Sequence, residues 1–153
     1  MDGLVKDWVA EIEALASVAS FEPQAAYSAF TTCIRHRYTY FMRTIPGIDE
    51  FLQPLENVIR HKLIPALTEG RSCSDDDRIL LSLPVRLGGL GIIDPSKIAD
   101  EEFQNSRKMT ENLTAAVKSQ QRDIPDDLDD LSRVCKLHIR AERRVDKSKF
   151  SKT

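Results

Sequence analysis

The 153-residue sequence has no apolar run approaching the length of a membrane span and no secretory signal pattern. The expectation is an intracellular protein with no membrane partner. Cysteine is scarce: Cys33, Cys73 and Cys135 lie far apart, which argues against a disulfide framework and for a reducing compartment. The Asn112-Leu113-Thr114 sequon is discounted because no secretory signal accompanies it. Internal repeats and low-complexity tracts are absent. So is any Ser/His/Asp order resembling a nucleophile elbow. No cofactor, metal or small-molecule substrate is expected, and no catalytic residue.

Some fragments of chemistry do occur. Cys33-x-x-His36 and Cys135-x-x-His138 each place two zinc-type ligands on one helix face. The pairs lie about a hundred residues apart, and a cysteine packs equally well as a small apolar residue. Asp75-Asp76-Asp77 could suggest magnesium, but consecutive helical residues point apart, and acids suit a helix N-terminus. Arg60, His61 and Lys62 are likewise explained by a helix C-terminus.

Charge is uneven. The net of −2 combines a net −4 over residues 1–82 with +2 over residues 83–153. From Pro23 to Ile48 there is no acid, but there are Arg35, His36, Arg37 and Arg43; from Arg133 to Thr153, eight bases face two acids. Such a balance does not describe an indiscriminate nucleic-acid binder, but it permits a directed contact.

Hydrophobic spacing predicts an all-α protein. Leu4, Trp8, Ile12, Leu15 and Ala19 define a first helix, about Leu4 to Ser20. Tyr27, Phe30, Ile34, Tyr38, Phe41 and Ile45 define a second, about Pro23 to Ile45, with Ser28, Thr32, Arg35, His36, Thr39 and Arg43 opposite. That opposite face has no carboxylate of its own and reads as a phosphate contact, with Arg as principal and Ser/Thr as secondary donors; the alternative is an ordinary solvated face. Pro46-Gly47 ends the helix. Phe51, Leu55, Val58, Ile59, Leu63 and Ala66 mark a third helix, about Asp49 to Leu67, with Pro54 early in it and Pro65 distorting its end. Ser74 caps a short helix ending near Ser82. Long helices are expected over about Ser96 to Gln121 and Asp126 to Val145, and fraying over residues 147–153.

Between the helical halves lies Leu83-Pro84-Val85-Arg86-Leu87-Gly88-Gly89-Leu90-Gly91-Ile92-Ile93-Asp94-Pro95. Its glycines permit unusual backbone angles, while Leu87, Leu90, Ile92 and Ile93 predict a packed joint rather than a loose linker. It lacks the spacing of either nucleotide-binding glycine loop.

Five segments then occur in one order: Pro23 to Phe30, Tyr38 to Pro46, Pro54-Leu55-Glu56, Ile64 to Thr68, and Leu83 to Gly91. Together they resemble the region following the catalytic palm in reverse transcriptases of non-LTR retroelements. The similarity spans about Val5 to Gln121 and, more weakly, the last helix. The resemblance implies a thumb-like bundle of three helices over residues 4–67, a short helix and glycine-rich joint over 68–95, a helical linker region over 96–146, and a basic tail over 147–153. It also implies contact with the backbone of an RNA–DNA or DNA duplex through Arg35, Thr39 and Arg43, with Arg37 peripheral and Arg86 at the joint. The palm's aromatic-x-Asp-Asp hairpin, the fingers, and the downstream knuckle and endonuclease are missing from the sequence. The expectation is therefore a fragment that does not polymerise by itself. The competing expectations are a helical protein-interaction or structural module, self-associating through exposed apolar surface, and a remnant without function.

Overall fold

Proline and glycine stand at the helix boundaries and set the order of elements. The computed structural model describes residues 1–120, and all regular structure among them is helical. Readings that fall on residues 121–153, including the last helix, the basic tail and Cys135-x-x-His138, lie outside the described residues. The helices are α1 (Asp2–Ala19), α2 (Pro23–Ala29), α3 (Arg35–Thr44), α4 (Gln53–Val58), α5 (Ile64–Leu67), α6 (Asp75–Ser82) and α7 (Pro95–Lys118). Two compact units divide the chain: Met1–Phe103, and Gln104–Thr153, of which residues 104–118 complete α7. The first unit holds the bundle, the short helix and the joint.

The second expected helix is one rod with a fault in it. A π-helical turn, Phe30–Ile34, joins α2 to α3, and the Arg35 amide reaches back five residues to the Phe30 carbonyl. The wider turn inserts residue length and advances the phase of α3. Burial accordingly recurs at Ala26, Phe30, Tyr38 and Met42, every fourth residue or its multiple, while Phe41 and Ile45 are only half-buried. The third expected helix has the same device. A 3₁₀ turn, Ile48–Phe51, leads into α4, and a π-turn, Ile59–Leu63, links α4 to α5. The Ile64 amide bonds the Ile59 carbonyl, and the next residue is Pro65, which has no amide to give. The distortion expected at Pro65 is thus absorbed one turn earlier.

The core lies where α1 crosses both bent rods. Val5, Trp8, Ile12, Ala16 and Ala19 bury the inner face of α1; Leu4, expected in the stripe, is about two-fifths exposed and Val5 takes its place. Trp8 meets Tyr38 and Phe41 with ring centroids 6.3 and 5.2 Å apart, in tilted arrangements. Leu55, Ile59, Leu63 and Ile64 close the other side.

At the start of α6, the Ser74 hydroxyl accepts from the Asp77 amide while the Asp77 carboxylate accepts from Ser74, a complete capping box. Those hydrogen bonds hold the Asp77 carboxyl below its ordinary range. The joint then folds back on α6. The amides of Leu90 and Ile92 both donate to the Leu81 carbonyl, and Gly91 donates to Leu83. Gly88 and Gly91 take left-handed angles, φ 87° and 66°. Gly89 is required for a different reason: a Cβ there would stand 2.1 Å from the Leu83 carbonyl oxygen. Ile92 is fully buried, so the joint is packed as the sequence predicts.

Candidate nucleic-acid interface

The acid-free α2–α3 rod carries the residues proposed to meet a duplex. Arg35, Thr39 and Arg43 are spaced four apart and share one side of α3. The phase advance at the π-turn draws the first two inward: Arg35 and Thr39 are half-buried. The Arg35 guanidinium donates to the Gly91 carbonyl at 3.3 Å, tying α3 to the joint. Thr39 Oγ1 donates to the Arg35 carbonyl at 2.7 Å. Arg86 stands exposed in the 3₁₀ turn Val85–Leu87.

The rod lacks carboxylates in sequence but not in space. Glu11 of α1 accepts from Arg37, and Glu102 of α7 accepts from Arg43 at 2.7 Å. The Arg37 and Arg43 side chains nonetheless remain 54% and 55% exposed. Their pairs are of the surface kind, worth about 0–1 kcal/mol, and exchange readily for a phosphate. The hydroxyls are committed differently. Thr31, Thr32, Thr39 and Thr44 each donate to a carbonyl of their own helix, so Thr32 and Thr39, two of the three secondary donors expected of this face, are occupied, and its cations are what it chiefly offers an anion.

The outward strip of the rod is Thr32, Cys33, His36, Arg37, Tyr40, Arg43 and Thr44, all exposed. Tyr40, 63% exposed, lies at its centre. Tyr40 lies off both the apolar stripe and the cationic face that hydrophobic spacing defines, and its exposure depends on the phase of the rod. Cys33 and His36 lie on this strip as a surface pair, and no cluster of three or more metal-type ligands occurs among the described residues.

Beneath the rod lies a buried polar cluster that the sequence did not announce. Arg78 of α6 donates through Nε and Nη2 to the two oxygens of Glu56 on α4, each at 2.6 Å, and through Nη1 to the Ile92 carbonyl. Their side chains are 4% and 6% exposed. Burial raises the Glu56 pKa above the ordinary carboxylate value, against the hydrogen bond and charge of Arg78. Burial likewise raises the Tyr38 hydroxyl, which finds no hydrogen-bond partner among the described residues. Arg60 adds a clasp nearby, donating to Asp75 at 2.6 Å and to the Cys73 carbonyl. The signal in the sequence was Glu56 itself, a carboxylate set between Leu55 and Val58 on an apolar stripe. The cluster fixes α4, α6 and the joint together, and so fixes the carbonyl that holds Arg35.

The class defined by this architecture is an all-α helical bundle with a packed glycine joint. Searches of family models, curated proteins and solved structures return no match for this chain.

Proposed function

We propose that the chain is a thumb-type helical domain of a reverse-transcriptase-like protein of the non-LTR retroelement kind, which rests on the backbone of a primer–template duplex and supplies no polymerase chemistry itself. The observation that carries this reading is the exposed strip of the α2–α3 rod, where His36, Arg37 and Arg43 stand outward with no carboxylate in the strip. The five ordered sequence segments support it, and two of them hold the buried frame: Glu56 lies in one, and Leu83 to Gly91 forms the joint. Phosphate contacts of this kind position a duplex and carry no sequence information.

The test is fluorescence anisotropy of a labelled RNA–DNA hybrid titrated with the chain at two salt concentrations. With two or three phosphates contacted, a fourfold rise in salt should weaken binding about tenfold to fortyfold. Arg37→Ala/Arg43→Ala should weaken it equally on unrelated sequences. Unchanged affinity in that double variant would refute the proposed face.

A second reading has its own observation. A groove of about 560 Å³ runs between α1 and the start of α4, with Val5, Val9, Ala10, Phe51 and Pro54 among its lining. Phe51 and Leu4 are about two-fifths exposed. Apolar surface of this sort suits a protein-interaction module or self-association. Light scattering decides it: a concentration-dependent dimer favours this reading, and a strict monomer removes self-association.

A further inference from the structure

The strip holds one residue that a purely backbone-directed contact does not need. The hydroxyl of Tyr40 makes no hydrogen bond among the described residues, and the residue is largely exposed. The ring is nevertheless held. It stands edge-on to Phe41, with centroids 5.5 Å apart and planes at 87°, and Phe41 packs in turn on Trp8 of the core. Helix geometry places Arg37 and Arg43 three residues to either side, about 60° around the axis and about 4.5 Å along it. His36 and Thr44 lie one turn away in each direction. An ordered aromatic surface thus sits midway between two cations.

We propose that Tyr40 is a stacking platform for an unpaired base, so that this face takes nucleic acid with a single-stranded segment adjoining the duplex in preference to a blunt duplex. This rests on the proposed function and names the substrate class of the same surface. Bases inside a duplex hide their faces in the stack, so only an unpaired or terminal base can lie on the ring. The phosphates flanking that base fall to Arg37 and Arg43. Every base has a π-face, so the preference is for unpaired structure and not for sequence. Tyrosine suits the role because it offers a large rigid surface at small entropic cost.

Three ligands test it by anisotropy: a blunt RNA–DNA hybrid, the same hybrid with a short single-stranded overhang, and the same overhang made abasic. The abasic strand keeps the phosphates and removes the bases. The base-bearing overhang should bind at least about fivefold more tightly than the abasic one, the low end of stacking on one aromatic. In Tyr40→Ala that ratio should fall to about one, and Tyr40→Trp should restore it. Because Tyr40 is 63% exposed and loses only its edge contact with Phe41, the three thermal midpoints should lie within about 6 °C of one another. Equal affinity for base-bearing and abasic overhangs, with salt-sensitive binding of the blunt hybrid intact, would overturn the platform and leave the thumb reading standing. No binding of any ligand at low salt would overturn both.

Discussion

Replacing Arg78 with Met removes one guanidinium from the centre of the first unit and keeps most of the side chain's bulk. Three hydrogen bonds go with it: two to Glu56 at 2.6 Å and one to the Ile92 carbonyl. The Glu56 side chain, 6% exposed, is left as a buried charge without a counterion. Breaking a buried pair from one side costs about 3–5 kcal/mol, against a total stability of about 5–15 kcal/mol for an ordinary domain. At an m-value of about 1–2 kcal/mol/M, the urea midpoint should fall by about 1.5 M or more. The loss should also depend on pH. Burial already raises Glu56, and the two largest lowering influences, a hydrogen bond and a charge, both come from Arg78, with Lys97 the least. Without Arg78 the folded pKa rises further above the unfolded value. Between the two values the folded state binds more protons, so stability falls as pH rises through that window. Arg78→Met should therefore be weakest at mildly alkaline pH and recover on acidification toward the ordinary carboxylate pKa, below which the slope vanishes. Wild type has the same sign and a smaller amplitude. Glu56→Met/Arg78→Met should regain much of the loss, since apolar replacement of both partners removes the stranded charge. Urea titrations at pH 5 and pH 8 read all of this. A loss below about 1 kcal/mol at pH 8, or a double variant as weak as the single one, would refute the reasoning.

Gly89→Ala should destabilise by about 1–3 kcal/mol or more, because the new Cβ meets the backbone carbonyls of Leu83 and Leu80 at 2.1 and 2.6 Å, which cannot swing aside; a thermal midpoint within a degree of wild type would refute the packed joint. Tyr38→Phe should be neutral or stabilising by up to about 1 kcal/mol, since it deletes a buried hydroxyl with no partner among the described residues; a clear loss in urea titration would reveal a partner. Glu102→Gln should tighten hybrid binding up to about fivefold at low salt by releasing Arg43 from its carboxylate, and weaker binding would show that Glu102 orients Arg43 instead of competing for it.

The helices were legible because amphipathic spacing is a local property. Trp8, Ile12, Phe30 and Tyr38 fall on apolar stripes and lie in the core. The Ser74 cap was equally legible, since its partner Asp77 is three residues away. What escaped was phase. A single wide turn at Phe30–Ile34 moves Met42 into the core and leaves Ile45 half-buried, and no residue in Phe30-Thr31-Thr32-Cys33-Ile34 marks it. The second wide turn could have been anticipated from Pro65, which denies its helix one amide. Long-range pairing also escaped. Arg78 and Glu56 are 22 residues apart, and nothing in either neighbourhood singles out the other. The apolar residues of the joint mark it as packed, but the need for glycine at 89 comes from a carbonyl it approaches only in three dimensions.

The acid-free run from Pro23 to Ile48 shows how far a one-dimensional charge pattern carries. It places cations on a single rod, and it says nothing of carboxylates on neighbouring helices. Glu11 and Glu102 reach Arg37 and Arg43 from α1 and α7, so the isolated face of the sequence becomes two exchangeable ion pairs. Arg35 is turned to the joint and the threonine hydroxyls to their own helix, which leaves few groups to grip a backbone. The consequence is quantitative. If only Arg37, Arg43 and Arg86 exchange protein or solvent contacts for phosphate, the salt dependence of log K on log salt should have a slope of about −2 to −3. A slope near −6 or steeper would mean that Arg35 and further cations outside this face also contact the duplex, and the strip would then be only part of the interface.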